Sequence, residues 1–137
     1  MTRKLIVLSC LVAAVCVFSA FRQTPKFNLK ESIERGKDVY IAYCLTCHLD
    51  QGEGIEDVYP PLAKSDYLMA DKKRSIQQVL SGAKGEIKVN GKTYNGEMSG
   101  FDLNDQQASD VLNYVRNSFG NKGGAVTPEE VKVSRKK

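Results

Sequence analysis

Histidine is almost missing from this chain of 137 residues: it occurs once, at His48. Tryptophan is absent, and the four cysteines are Cys10, Cys16, Cys44 and Cys47. One histidine, with no second Cys-x-x-Cys or Cys/His pair, excludes a tetrahedral zinc site. A thioredoxin-type dithiol is disfavoured too, because the βαβ pattern that accompanies it is missing. Charge of one sign is not in large excess: 20 Lys and Arg stand against 16 Asp and Glu, a formal net charge of +4. No basic stripe interleaved with aromatics is present, so nucleic acid is excluded as a partner. Internal repeats and low-complexity tracts are also lacking, and the length fits one domain with short extensions.

Long apolar runs are limited to one, Leu5 to Phe21, which follows the positive pair Arg3 and Lys4. This reads as an export signal cut after Ser19, with Val17 and Ser19 at the two positions that matter. At ~17 residues the run also reaches the lower limit for crossing a bilayer, so an uncleaved anchor is the alternative. The chain then divides into a signal over 1–19, a linker over 20–30, a domain over 31–120 and a flexible C-terminal extension over 121–137. Cleavage directs the product to the periplasm and leaves only Cys44 and Cys47. A loop closed by cysteines three positions apart is too short to constrain a fold. The pair is there for chemistry.

The motif is Cys44-Leu45-Thr46-Cys47-His48, the spacing of c-type haem attachment. Two thiols on one helical turn add to the two vinyl groups of a haem, and the adjacent histidine reaches the iron. Because His48 is the only histidine, bis-histidine ligation is impossible. The sixth ligand is then methionine, a weaker group, water or nothing. After processing, Met69 and Met98 are the available methionines. Met69 lies beside Leu68 on what reads as the buried side of a short helix, where packing explains it. Met98 lies in Asn95-Gly96-Glu97-Met98-Ser99-Gly100, a glycine-flanked loop in which backbone can approach a flat ring. It follows His48 by fifty residues, enough to return from the opposite side. Met98 is the assigned ligand.

Around these residues the pattern predicts helices over 31–43, 71–81 and 105–119. Asp71 caps the second of these and Gly82 ends it. Asn104, with Gln107 reaching back, caps the third. The acidic stretch from Asp50 to Asp57 reads as solvated, and Lys72, Lys73 and Arg74 as a solvated basic face. Asn90-Gly91 predicts a two-residue hairpin turn that sets Ile87 opposite Tyr94 and Lys88 opposite Thr93. A loose link follows Gly120, and a short helix begins at Thr127-Pro128-Glu129-Glu130.

Over roughly residues 31 to 120 the sequence resembles the class I c-type cytochromes of bacteria. The likeness rests on Cys44 to His48, Pro60-Pro61-Leu62, Met98 and the final Val111-Leu112-Asn113-Tyr114-Val115, in that order. It implies an all-α fold wrapped round one covalent haem c and its iron, here with a small hairpin before the methionine loop. It also implies that Gly36 and Tyr40 meet Tyr114 where the first and last helices cross, and that the Pro60 carbonyl orients His48. Ser99 departs from the proline that many relatives carry after the methionine. The function expected is single-electron transfer between redox protein partners, without catalysis. An electron-transfer subunit of a larger periplasmic oxidoreductase, tethered through the C-terminal extension, is the alternative. A haem enzyme or gas sensor is disfavoured, since no distal histidine or acid–base pair is offered.

Overall fold

Asn28 starts the first helix: its side chain accepts from the backbone N–H groups of Lys30 and Glu31. The computed structural model describes residues 26–135. The export segment and residues 20–25 of the linker lie outside the described residues. In chain order the elements are α1 (Leu29–Tyr43), α2 (Leu45–His48), α3 (Asp66–Ala70), α4 (Lys72–Ser81), β1 (Gly82–Ala83), β2 (Ile87–Val89), β3 (Lys92–Tyr94), β4 (Met98–Ser99), α5 (Asp105–Asn117) and α6 (Pro128–Arg135). The described fold is mostly helical, with two two-stranded sheets, β1–β4 and β2–β3.

The α1–α5 crossing organises the core. A Cβ on Gly36 would lie 1.9 Å from the Asp110 carbonyl oxygen and 2.9 Å from the Tyr114 Cβ, so only glycine permits this approach. Tyr40 is buried against Tyr114, ring centroids 5.3 Å apart, and against Phe119 at 5.4 Å. The expected Gly36–Tyr40–Tyr114 contact is present. Polar groups fix the crossing angle. Asp110, buried, accepts from Arg35 Nε at 2.8 Å, Arg35 Nη2 at 2.9 Å and Gln106 Nε2 at 2.8 Å, and from the Ser32 hydroxyl. A buried carboxylate is tolerated because these donors replace its water.

Helix α5 carries the predicted capping box, Asn104 with Gln107, and buries Ala108, Val111, Leu112 and Val115. It ends at Asn117, two residues before the predicted Phe119. Phe119 and Gly120 turn the chain at φ 56° and 82°. The turn lays the Phe119 ring against Gly52, where a Cβ would meet it at 2.6 Å. Asp71 caps α4 as predicted, and Gly82 ends it at φ 84°. The hairpin has the predicted register, Ile87 opposite Tyr94 and Lys88 opposite Thr93. Its turn residues Asn90 and Gly91 sit at φ 50° and 84°, the mirror-image geometry that suits strand twist.

The segment after Gly120 differs from the flexible extension expected. Val126 and Val131 are completely buried within the core cluster. The Asn113 amide donates to the Val126 carbonyl at 2.7 Å and accepts from the Val126 N–H at 2.7 Å, as a neighbouring strand would. Thr127 and Glu130 cap α6 reciprocally. Lys72 donates to the Ala125 carbonyl at 3.1 Å and pairs with Glu130. The basic cluster is therefore not simply solvated: Lys72 binds this segment, and Arg74 lies 3.7 Å over the Tyr67 ring.

Candidate functional site

The attachment motif sits at the end of α1, where the chain changes helix axis. Cys44 closes α1 by donating its N–H to the Tyr40 carbonyl and starts α2, the single turn Leu45–His48. The N–H groups of Cys47 and His48 both return to the Cys44 carbonyl, at 3.2 and 3.0 Å. Both thiols are therefore on one turn. Both are free and half-buried. Burial, with a smaller contribution from neighbouring Cys47, pushes the Cys44 thiol up to about 12. Among the described residues no group of three or more His, Cys, Asp or Glu is placed to hold a metal ion.

His48 is buried, and its Nδ1 lies 3.0 Å from the Pro60 carbonyl oxygen. A carbonyl only accepts, so Nδ1 carries the proton and Nε2 keeps its lone pair for a metal. Burial, the larger influence, lowers the His48 pKa, and the Pro60 bond opposes it. The neutral imidazole that ligation requires is the favoured form.

Pro60 reaches His48 because of two glycines that sequence reasoning passed over as part of a solvated acidic stretch. Gly54 donates to the His48 carbonyl at 3.1 Å, and Gly52 accepts from the N–H groups of Leu62 and Ala63 at 2.7 and 2.8 Å. At Gly54, φ is 67° and a Cβ would lie 2.3 Å from the Tyr59 carbonyl and 2.8 Å from that of Pro60. The available signal was the spacing Gly52-Glu53-Gly54 just after the motif. The acids there are exposed; the glycines set the path.

Met98 is not in a free loop. It opens β4 and pairs with Ala83 of β1. Glycines permit this pairing on both strands: Cβ atoms on Gly82 of β1 and on Gly100 after β4 would lie 2.4 Å from the Met98 carbonyl and 2.6 Å from the Leu80 carbonyl. Phe101, three residues on, donates its N–H to the Val79 carbonyl and meets Tyr43 edge-on at 5.6 Å. Tyr43 directly precedes Cys44. Three residues span at most ~11 Å, so the chain just after Met98 is tied to the residue that precedes the motif. Half-buried Cys44, Leu45, Val79, Leu80 and Phe101 pack against the core cluster. Met69 has its own packing partners. A Cβ on Gly123 would lie 3.1 Å from Met69 Cε and 3.1 Å from Arg116 Cβ, which puts this methionine under the C-terminal segment.

Two thiols on one turn, an oriented imidazole and a half-buried apolar surround are the donor set and setting of a covalently bound haem. A mostly helical domain with that set is a c-type haem protein. The chain belongs to the cytochrome c family, whose model, described as Cytochrome c, matches residues 33–119. It is 38% identical over 112 residues to cytochrome c-552 of Thermus thermophilus, covering 74% of this chain and 85% of that protein. It is also 30% identical over 103 residues to the cytochrome c subunit of a quinone alcohol dehydrogenase from Gluconobacter oxydans (strain 621H), covering 73% of this chain but 22% of that subunit. The corresponding subunit of Komagataeibacter europaeus is 32% identical over 99 residues, and the match covers 21% of it. The family's cofactor is covalent haem c with its iron, and its role is electron transfer.

Proposed function

We propose that this chain is a periplasmic monohaem electron carrier in which His48 and Met98 are the axial ligands and Cys44 and Cys47 hold the haem. The observation that carries the reading is the His48 Nδ1 contact with Pro60 at 3.0 Å, which frees Nε2 beside a pair of thiols on the same turn. When bound, haem supplies an iron that gains and loses one electron. The protein's residues do the rest. Pro60 fixes the tautomer and plane of His48. The Met98 thioether, a soft donor, favours the reduced state and leaves no position for a substrate. Apolar side chains around the motif keep water off. The partners are redox proteins that exchange single electrons with it.

The test is spectroscopic. The reduced holoprotein is expected to give the same visible spectrum with and without carbon monoxide. A shift on adding the gas would point to an open iron site and to the enzyme or sensor reading instead.

A second reading, an electron-transfer subunit of a larger periplasmic oxidoreductase, is favoured by the likeness to dehydrogenase cytochrome subunits. It gains nothing from the C-terminal segment as a tether, because residues 121–135 pack on the fold through Val126 and Val131. Export is part of the proposal. Among the described residues no helix is long and apolar enough to cross a membrane. Holoprotein recovered from the periplasm is expected to have the mass of a chain lacking residues 1–19. An intact N-terminus that fractionates with membrane would identify the anchored form.

A further inference from the structure

The β2–β3 hairpin and the connection that follows it lie along the 56–66 stretch and touch it at three places. At the tip, Asn90 and Asp66 exchange hydrogen bonds. The Asn90 N–H donates to Asp66 Oδ1 at 2.8 Å, and the Asp66 N–H donates to Asn90 Oδ1 at 3.1 Å. Asn90 Nδ2 also reaches the Ala63 carbonyl at 3.5 Å. Along the returning strand Lys92 pairs with Glu56. In the connection to β4, a Cβ on Gly96 would lie 3.3 Å from the Val58 carbonyl. Pro60 stands in the middle of this stretch, and Met98 begins the strand that the hairpin leads into. The inner face is anchored as well, since Val89 and Tyr94 are buried.

These contacts join the two halves of the iron site. The chain that orients His48 is tied to the chain that delivers Met98, through Asp66 at the start of α3 and not through the α1–α5 crossing. We propose that the reciprocal Asn90–Asp66 pair is a latch that positions the Met98 strand and sets how often Met98 leaves the iron. This rests on Met98 being the ligand. The β1–β4 pairing that holds Met98 directly is only two residues long, so restraint must come from the flanks. On one flank is Gly100 against α4. On the other is the hairpin, and the latch is its outermost fixed point. Both ties are exposed, but the Lys92–Glu56 ion pair is also screened by salt and must order two long side chains, so it is the weaker tie.

The variants separate the latch from the turn. Asn90→Gly removes the side chain and keeps the positive φ that the turn needs. Asp66→Ala cuts the latch from the other side, at the cost of its bond from the Tyr67 N–H as well. Asp66→Asn keeps the accepting oxygen and is the conservative rescue. The readout is the limiting rate at which imidazole, at saturating concentration, replaces the sixth ligand of the ferric holoprotein. Asn90→Gly and Asp66→Ala should raise that rate about three- to tenfold, the scale of one or two lost hydrogen bonds. Asp66→Asn should match the parent. Melting temperature is followed in parallel, because a merely structural tie would lower it without changing the limiting rate. If Asn90→Gly and Asp66→Ala exchange at the parental rate, or if Asp66→Asn exchanges as fast as Asp66→Ala, the latch is wrong. The near-infrared sulfur-to-iron band of Met98→Ala checks the underlying reading. Its survival overturns both proposals; its loss beside parental exchange rates overturns the latch alone.

Discussion

Gly36→Ala should destabilise the holoprotein by about 3 kcal/mol, although alanine is the better helix former. Intrinsic propensity alone favours the change by about 1 kcal/mol. Space decides the other way. The new methyl would stand 1.9 Å from the Asp110 carbonyl oxygen, and that atom belongs to the backbone of α5 rather than to a side chain that can swing aside. Relief requires the two helices to separate. Separation would pull Arg35 and Ser32 away from buried Asp110 and part Tyr40 from Tyr114. For a domain of this size the melting temperature should fall by roughly 10–20 °C, and the urea midpoint should fall with little change in slope. Gly124→Ala is the matched control. No atom lies within 4 Å of its Cβ position, so it should be neutral or slightly stabilising. Equal stability of Gly36→Ala and the parent would mean that the helices do not meet at this glycine.

That crossing was legible in the sequence because it rests on residues with one dominant meaning. A glycine inside a helical pattern points to close approach, and Asn104 with Gln107 or Asp71 before an apolar stripe points to a helix start. Asn90-Gly91 fixed the register of the hairpin because few other turns take two positive φ values. Other features leave no periodic trace. The β1–β4 pairing joins segments of two residues each, too short for alternation to be read. The C-terminal segment reads as loose because its first residues, Asn121 to Gly124, are polar and glycine-rich. What holds it is the Asn113 side chain pairing with the backbone of Val126, and a side chain that recognises backbone imposes no pattern on the segment it holds. At the site, Cys44, Cys47 and His48 were legible from spacing, and Pro60 from resemblance. Gly52 and Gly54 were hidden by charge: the acids around them drew the reading toward solvent, while the glycines' work is steric.

The largest functional effect expected is that of Met98→Ala. Loss of the thioether should open the sixth position, lower the reduction potential, abolish the near-infrared sulfur-to-iron band and let the reduced protein bind carbon monoxide. The proposed ligand role of Met98 rests on its position. It is held on β4 against Ala83, and Phe101 three residues later meets Tyr43, the neighbour of Cys44. Met69 is placed for packing, with its Cε beneath Gly123 and next to Arg116. Met69→Leu therefore replaces one apolar side chain with another of similar volume and should cost at most about 1.5 kcal/mol, with the parental spectrum kept. The pair of variants separates ligation from stability, because only one of them should change the iron's spectrum. Ser99 makes the test worth doing with care. Where a proline would stiffen the residue after the ligand, this chain relies on strand pairing between Gly82 and Ser99. A sulfur-to-iron band that persists in Met98→Ala and disappears in Met69→Leu would move the ligand to the other methionine. It would also mean that the β1–β4 pairing holds its strand for a reason unconnected with the iron.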